Sequence, residues 1–199
     1  MSSAVLTALL GFAFVATVTP GPNNLMLLSS GANFGFRRTV PHMFGIVSGV
    51  SAMALLVGAG LMALFDAVPA LYLVLKTLSA GYLLWLATRI ATAAPVGDRE
   101  ARSQPMTFLQ AVAFQWVNPK AWAMCLSAIT LYAADRTFLS VAIVAGAFAV
   151  VCFPAISIWA WLGTVVRQWL LSATRLRLFN ITMGALLVAS LYPVLGFGA

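Results

Sequence analysis

The sequence predicts an all-α integral membrane protein: six transmembrane helices forming two inverted three-helix repeats, with helices one and four broken. Three observations carry this expectation. The chain of 199 residues is 62% hydrophobic and 8% charged, with a mean hydropathy of +1.00. Soluble domains are about one-quarter charged, so this composition has too little polar surface to cover a water-exposed globule. Apolar runs of ~20 residues, enough to cross a bilayer, follow one another along nearly the whole chain. The first and fourth runs also carry matched breaks about half a chain apart, Thr19-Pro20-Gly21-Pro22-Asn23-Asn24 and Val117-Asn118-Pro119-Lys120.

Taken in order, the first run extends from Ala4 to about Gly31, long enough to cross despite its break. The second, Pro41 to Leu64, is charge-free, and the third, Ala67 to Thr88, contains Lys76. The fourth, Met106 to Ala134, has Lys120 close to its midpoint; the fifth, Phe138 to Val166, contains Pro154. The sixth runs from Leu178 to about Phe197. Only the stretch from Thr92 to Pro105 reads as a polar loop. The expected organisation is one transmembrane domain over 1–199, with repeat one at about 1–91, the loop at 92–105 and repeat two at 106–199. Three helices per half is an odd number, so the second copy enters the membrane from the opposite side. Inverted repeats with a broken helix in corresponding positions are a known transporter pattern.

Charge sets the orientation. Arg37 and Arg38 follow run one; Arg89, Arg99 and Arg102 follow run three; Arg167, Arg175 and Arg177 follow run five. The alternate loops carry Asp66, and Asp135 with Arg136. Lys and Arg accumulate in cytoplasmic loops, which places the odd-numbered loops inside and both termini outside. A re-entrant first helix moves only the N-terminus. The formal charge of +7 does not mark a nucleic-acid partner, because the arginines sit at the ends of apolar runs rather than clustered on one face. The partners expected are the lipid bilayer and a small molecule; self-association as a homo-oligomer is compatible with this class. Met1-Ser2-Ser3-Ala4 lacks the positive region of a secretory signal, and no charged side chain precedes Arg37, so the first run is expected to be retained.

The breaks carry the chemistry. Proline deletes a backbone donor and clashes one turn back, and in lipid the freed groups are tolerated only against protein or a water-filled cavity. Pro22 after Gly21 suits a helix restart, and Asn118 before Pro119 is a good N-cap. Each break therefore creates a half-helix N-terminus inside the membrane, with free N–H groups and roughly half a positive charge. Such an end attracts an anion, and an amino acid offers a carboxylate. Carbonyls freed by Pro20, Pro22 and Pro119, with the amides of Asn23, Asn24 and Gln115, are candidates to accept its ammonium. The plain alternative is a pair of structural kinks packed by neighbouring helices. Lys120 is the sharpest residue, since an ionised lysine near mid-bilayer costs ~2.5–3.5 kcal/mol on insertion scales. It would add cationic character to a carboxylate site. Lys76 is a gate or coupling candidate, paired with Asp66 or Asp135 on the outer side, or else a snorkelling structural charge.

Other features read more plainly. Gly45 and Gly49 form a small-residue stripe for close helix packing. Trp85, Trp159, Trp161 and Trp169 are expected interface anchors or bundle filling. Phe114 and Trp116 flank the second break and are candidates to line a substrate path, with core packing the expected role. His42 reads as a solvated histidine at a helix end. Cys125 and Cys152, with the lone His42, form neither a disulfide framework nor a metal-ligand cluster, and no cofactor is expected.

Pro20-Gly21-Pro22-Asn23, the basic Arg37-Arg38 loop and Gly45-Ile46-Val47-Ser48-Gly49 resemble the first half of the lysine exporter family (LysE/RhtB type). Lys76 with Gly81-Tyr82-Leu83-Leu84-Trp85 resembles its third helix, and Asn118-Pro119-Lys120 its fourth. The resemblance spans the whole chain. It implies a gradient-driven exporter of amino acids or closely related small zwitterions in the bacterial inner membrane, and no enzyme activity. The sequence departs from the family where many members carry an acid in helix two, here Val50-Ser51, and where a glycine is common, here Ala111. The first departure weakens any assignment of a proton-coupling carboxylate. Three competing readings are metal-cation efflux, which needs several oxygen ligands, usually with carboxylates; a membrane thiol–disulfide relay, which needs reactive paired cysteines, whereas Cys125 and Cys152 are expected to adjoin neither break; and a non-transporting membrane scaffold.

Overall fold

The structure, a computed structural model, describes residues 1–92, 104–133, 135, 137–170 and 172–191. Most of the predicted polar loop, with Asp98, Arg99, Glu100 and Arg102, lies outside the described residues, as do Arg136 and the end of the sixth run. The described chain is helical throughout, in the order α1 (Ser3–Val18), α2 (Pro22–Phe34), α3 (Phe36–Gly58), α4 (Leu61–Ala67), α5 (Ala70–Ala91), α6 (Phe108–Gln115), α7 (Pro119–Tyr132), α8 (Phe138–Arg167) and α9 (Ala173–Ala189).

Both predicted breaks are present. The first run divides into α1 and α2, bent by 58°, and the fourth into α6 and α7. Pro22 opens α2 and Pro119 opens α7, where the missing donor costs nothing because first-turn N–H groups have no helical partner. Side-chain caps fix the starts of α1, α6, α8 and α9. Thr107 and Gln110 form a reciprocal capping box on α6, while Thr137 and Ser172 cap α8 and α9.

The second run differs from expectation at both ends. Its helix starts at Phe36, so Arg37 and Arg38 belong to its first turn rather than to a loop, and Pro41 lies inside. Pro41 removes one donor close to the helix start, a loss a long helix absorbs. The run then stops at Gly58, because Gly60 turns the chain with φ +100 and the short α4 follows. That left-handed conformation is one glycine adopts without a Cβ penalty. Likewise, Gly35 at φ +83 separates α2 from α3. The last helix begins at Ala173 rather than Leu178, bringing Arg175 and Arg177 into its first turns.

Among the described residues, three helices, α3, α5 and α8, are long and apolar enough to cross a membrane, and the bent pair α1–α2 makes a fourth span if counted as one. The packing interleaves the two halves of the chain. The pieces of the first broken helix, α1 and α2, lie on α8; the pieces of the second, α6 and α7, lie on α3. Helices α3 and α8 pack on each other, as do α5 and α9. Small residues permit the tightest crossings. Gly31 and Gly163 bring the backbones of α2 and α8 together, and a Cβ on either would run into the opposite main chain. Gly45 and Gly49 do the same for α3 against α6, the packing role expected of that stripe. The main core lies between α3, α7 and α8, around Met53, Cys125 and Phe148. A smaller cluster joins α5 and α9 to Phe114.

Candidate functional site

The fold brings the two breaks together. Asn23 on α2 and Gln115 on α6 exchange side-chain hydrogen bonds, Asn23 Nδ2 donating to Gln115 Oε1 at 2.8 Å and Gln115 Nε2 to Asn23 Oδ1 at 3.1 Å. Asn118 Nδ2 extends this clasp to Gln115 Oε1 at 3.4 Å. Gln115 and Asn118 are buried, so their amides need partners inside the protein, side chains or ordered water.

Breaking the first helix leaves carbonyls without helical donors, and side chains from other helices take them up. Asn24 Nδ2 donates to the carbonyls of Thr17 and Thr19, at 2.8 and 2.7 Å. Trp159 Nε1 on α8 donates to the carbonyl of Val18 at 2.9 Å. The Lys120 ammonium reaches across from α7 to the Thr19 carbonyl at 2.5 Å, the Thr19 hydroxyl at 2.9 Å and the Pro20 carbonyl at 3.3 Å. The negative end of α1 is thus met by a cation, a favourable match with the helix dipole. These carbonyls are the acceptors expected for a cargo ammonium, and Lys120 occupies them itself. Gly21 makes room for it: a Cβ there would lie 2.6 Å from Lys120 Cδ.

The two half-helix N-termini are not equivalent. On α7, Asn118 accepts from the Lys120 backbone N–H at 3.2 Å, as expected of its cap. The start of α2 has no side-chain cap, so its N–H dipoles are the better seat for an anion. Between them lies a chamber of about 20 Å³, bordered by Thr17, Gly21, Asn24, Asn118, Lys120 and Cys152. That volume holds about one water. Asn24 Oδ1, buried at its edge, has no hydrogen-bond partner among the described residues.

Pro20, Gly21, Pro22, Asn23, Asn24, Gln115, Asn118, Pro119 and Lys120 therefore gather in one place. Lys76, Asp66 and Asp135 do not join them. Lys76 lies on α5, which does not border the chamber. Asp66 is exposed on α4 and accepts from the Tyr72 hydroxyl at 3.2 Å. Asp135 is exposed at the turn before α8, and the Ser140 hydroxyl, donating to it at 2.5 Å, holds its carboxyl below the usual range.

Two residues sit elsewhere than the sequence suggests. Cys152 borders the chamber although it is far from both motifs in sequence, because α8 packs along both α1 and α2. His42 is not solvated: it is 1% exposed, and neither ring nitrogen has a partner among the described residues. The reason is packing, since α3 is enclosed by α2, α6, α7 and α8. An unpartnered buried polar group costs about 1–3 kcal/mol. His42 lies in the wall of a second, much larger cavity of about 800 Å³ between α2, α3, α5 and α6. Phe114 is core, as expected. Cys125 and Cys152 are free and buried, an inert setting for thiols.

The family described as LysE type translocator matches residues 14–190. A cysteine/O-acetylserine efflux protein of Salmonella choleraesuis (strain SC-B67) is 31% identical over 137 residues, 69% of this chain and 70% of the relative. The protein of that name from Salmonella typhimurium (strain LT2) matches to the same extent, and the one from Escherichia coli (strain K12) is 30% identical over the same share. No solved structure matches. This chain belongs to the LysE type translocator family.

Proposed function

We propose that the protein is a multi-pass exporter of the bacterial inner membrane that moves amino acids or closely related small zwitterions outward, driven by a gradient. As a translocator it moves its solute without converting it. Small neutral derivatives in the manner of cysteine and O-acetylserine, the cargo named for its relatives, are the first to test. The observation that carries the reading is the convergence of both helix breaks on Lys120. In the proposed cycle the cargo carboxylate sits at the uncapped start of α2 beside Lys120, and the cargo ammonium takes the Thr19 and Pro20 carbonyls that Lys120 now fills. The closed chamber is then the occluded form of the site, which opens when Lys120 exchanges its carbonyls for the carboxylate.

The interleaved packing supports the inverted-repeat architecture: each broken helix lies on the second helix of the other half, while like helices pair across the centre. In this reading repeat one is 1–91, repeat two is 106–199, the arginine-bearing ends face the cytoplasm and both termini face outward. Cells loaded with dipeptides and assayed for release of a panel of amino acids, O-acetylserine and divalent cations test the function. Release of cations alone would replace it with metal efflux. Single cysteines at Ser2 and Ser172, probed with an impermeant maleimide, should label from opposite sides; labelling from one side overturns the topology.

A further inference from the structure

We propose that the large cavity between α2, α3, α5 and α6 is a loading station for the cargo, separate from the break chamber, with His42 as its recognition residue. The proposal rests on the transport reading and assigns it a second site. At about 800 Å³ the cavity accommodates a whole amino acid derivative, which the chamber of about 20 Å³ does not. His42 is buried in its wall with both ring nitrogens unpartnered among the described residues. Both nitrogens are closed off from the cavity in this structure, so the ring must turn into it to meet cargo; a neutral imidazole then offers one donor and one acceptor nitrogen, and a zwitterion supplies the complement of each, a carboxylate oxygen and an ammonium N–H.

The rest of the wall narrows the cargo. Arg89, in the last turn of α5, supplies a cation for the carboxylate, and Ser29, Asn33 and Gln110 supply neutral hydrogen-bonding groups. Arg89 is the charged side chain among the described residues of the wall, so a cationic cargo side chain such as that of lysine meets like charge beside it. A small neutral side chain with an acceptor or donor fits. Position agrees with loading from the cytoplasm. Arg37, Arg38 and Arg89 lie at this end of their helices, the end read as cytoplasmic. Helix α2 links the two sites directly: Met26 borders the cavity, while Asn23 and Asn24, within one turn, border the chamber.

His42 is the lone histidine of the chain, so protein labelled with ¹⁵N-histidine and purified by a histidine-free tag reports on this one ring. In lipid nanodiscs, O-acetyl-L-serine should shift the His42 resonance saturably, and the shift should persist in Lys120→Met. L-lysine should leave the resonance unmoved. His42→Gln should weaken O-acetylserine binding about tenfold, the loss expected for one hydrogen bond to a charged group. Radiolabelled O-acetylserine binding with the His42 resonance unmoved, and His42→Gln binding like wild type, would remove the station and leave the transport reading standing. A wild-type protein that neither binds nor exports any of the panel would remove both.

Discussion

Lys120→Met is the substitution that separates a working site from a packed kink. Methionine keeps the length of the side chain and discards the charge. Two opposing terms set its effect on stability. An intramembrane lysine costs ~2.5–3.5 kcal/mol, while its charge-assisted bonds to Thr19 and Pro20 return about 1.5–3 kcal/mol. Thr19 and Pro20 are exposed, so their carbonyls can find water when the ammonium is gone. The expected net change runs from a loss of about 0.5 to a gain of about 2 kcal/mol, so the variant should insert normally and melt at or slightly above the wild type. Transport should not be spared. Losing the one cation at the chamber removes an interaction with the carboxylate of about 1.5–3 kcal/mol, or roughly 10- to 150-fold in affinity. The assay pairs thermal melting in detergent with O-acetylserine release from loaded cells at matched protein levels. Wild-type export by a normally produced Lys120→Met protein would refute the carboxylate site, leaving the breaks as kinks held by neighbouring side chains.

Other substitutions test neighbouring parts of the argument. Gly21→Ala pushes on Lys120 Cδ; the flexible lysine should yield, giving a protein that folds but exports slowly, whereas severe loss of production would show that the seat is rigid. Asn23→Ala and Gln115→Ala should couple in a double-mutant cycle by about 0.6 kcal/mol, and by no more than about 1.7, the range for hydrogen bonds inside membrane proteins; additivity would show that the clasp carries no energy. Asn118→Ala should cost ~1 kcal/mol through the lost cap and weaken cargo binding as well, read by melting and by radioligand binding. Asp135 has a lowered folded-state pKa, so its contribution is present above the ordinary carboxylate pKa and lost as pH falls through the depressed value. Ser140→Ala should move that loss to higher pH, followed by melting between neutral and acidic pH.

The breaks and their caps were legible because proline, glycine and asparagine act within a few residues of themselves. The same locality misplaced the second helix, where Pro41 is tolerated inside and Gly60, not composition, ends the run. Lys120 was identifiable from its cost in a membrane, but its partners were not. They are main-chain oxygens some 100 residues away in sequence, and nothing about a lysine names its acceptor. Cys152 and His42 were misjudged for a common reason. Their surroundings depend on how α8 and α3 cross other helices, and those crossings are set by glycine contacts such as Gly31 with Gly163, which have no local signature linking one to the other.

The crossing of α2 with α8 has a consequence for biogenesis. Gly31 and Gly163 are separated by 132 residues of synthesis (163 minus 31), roughly 7–26 s at ~5–20 residues per second. Throughout that interval α2 has been made without the helix that covers it, and its Asn24, Ser29, Ser30 and Asn33, all buried in the finished protein, must find temporary shelter. The nascent first half is therefore a waiting intermediate, a substrate for insertion chaperones or for quality-control proteolysis. A chain truncated before Phe138 should be degraded faster in a pulse-chase than one truncated after Arg167, because only the longer one contains the partner for which α2 was built.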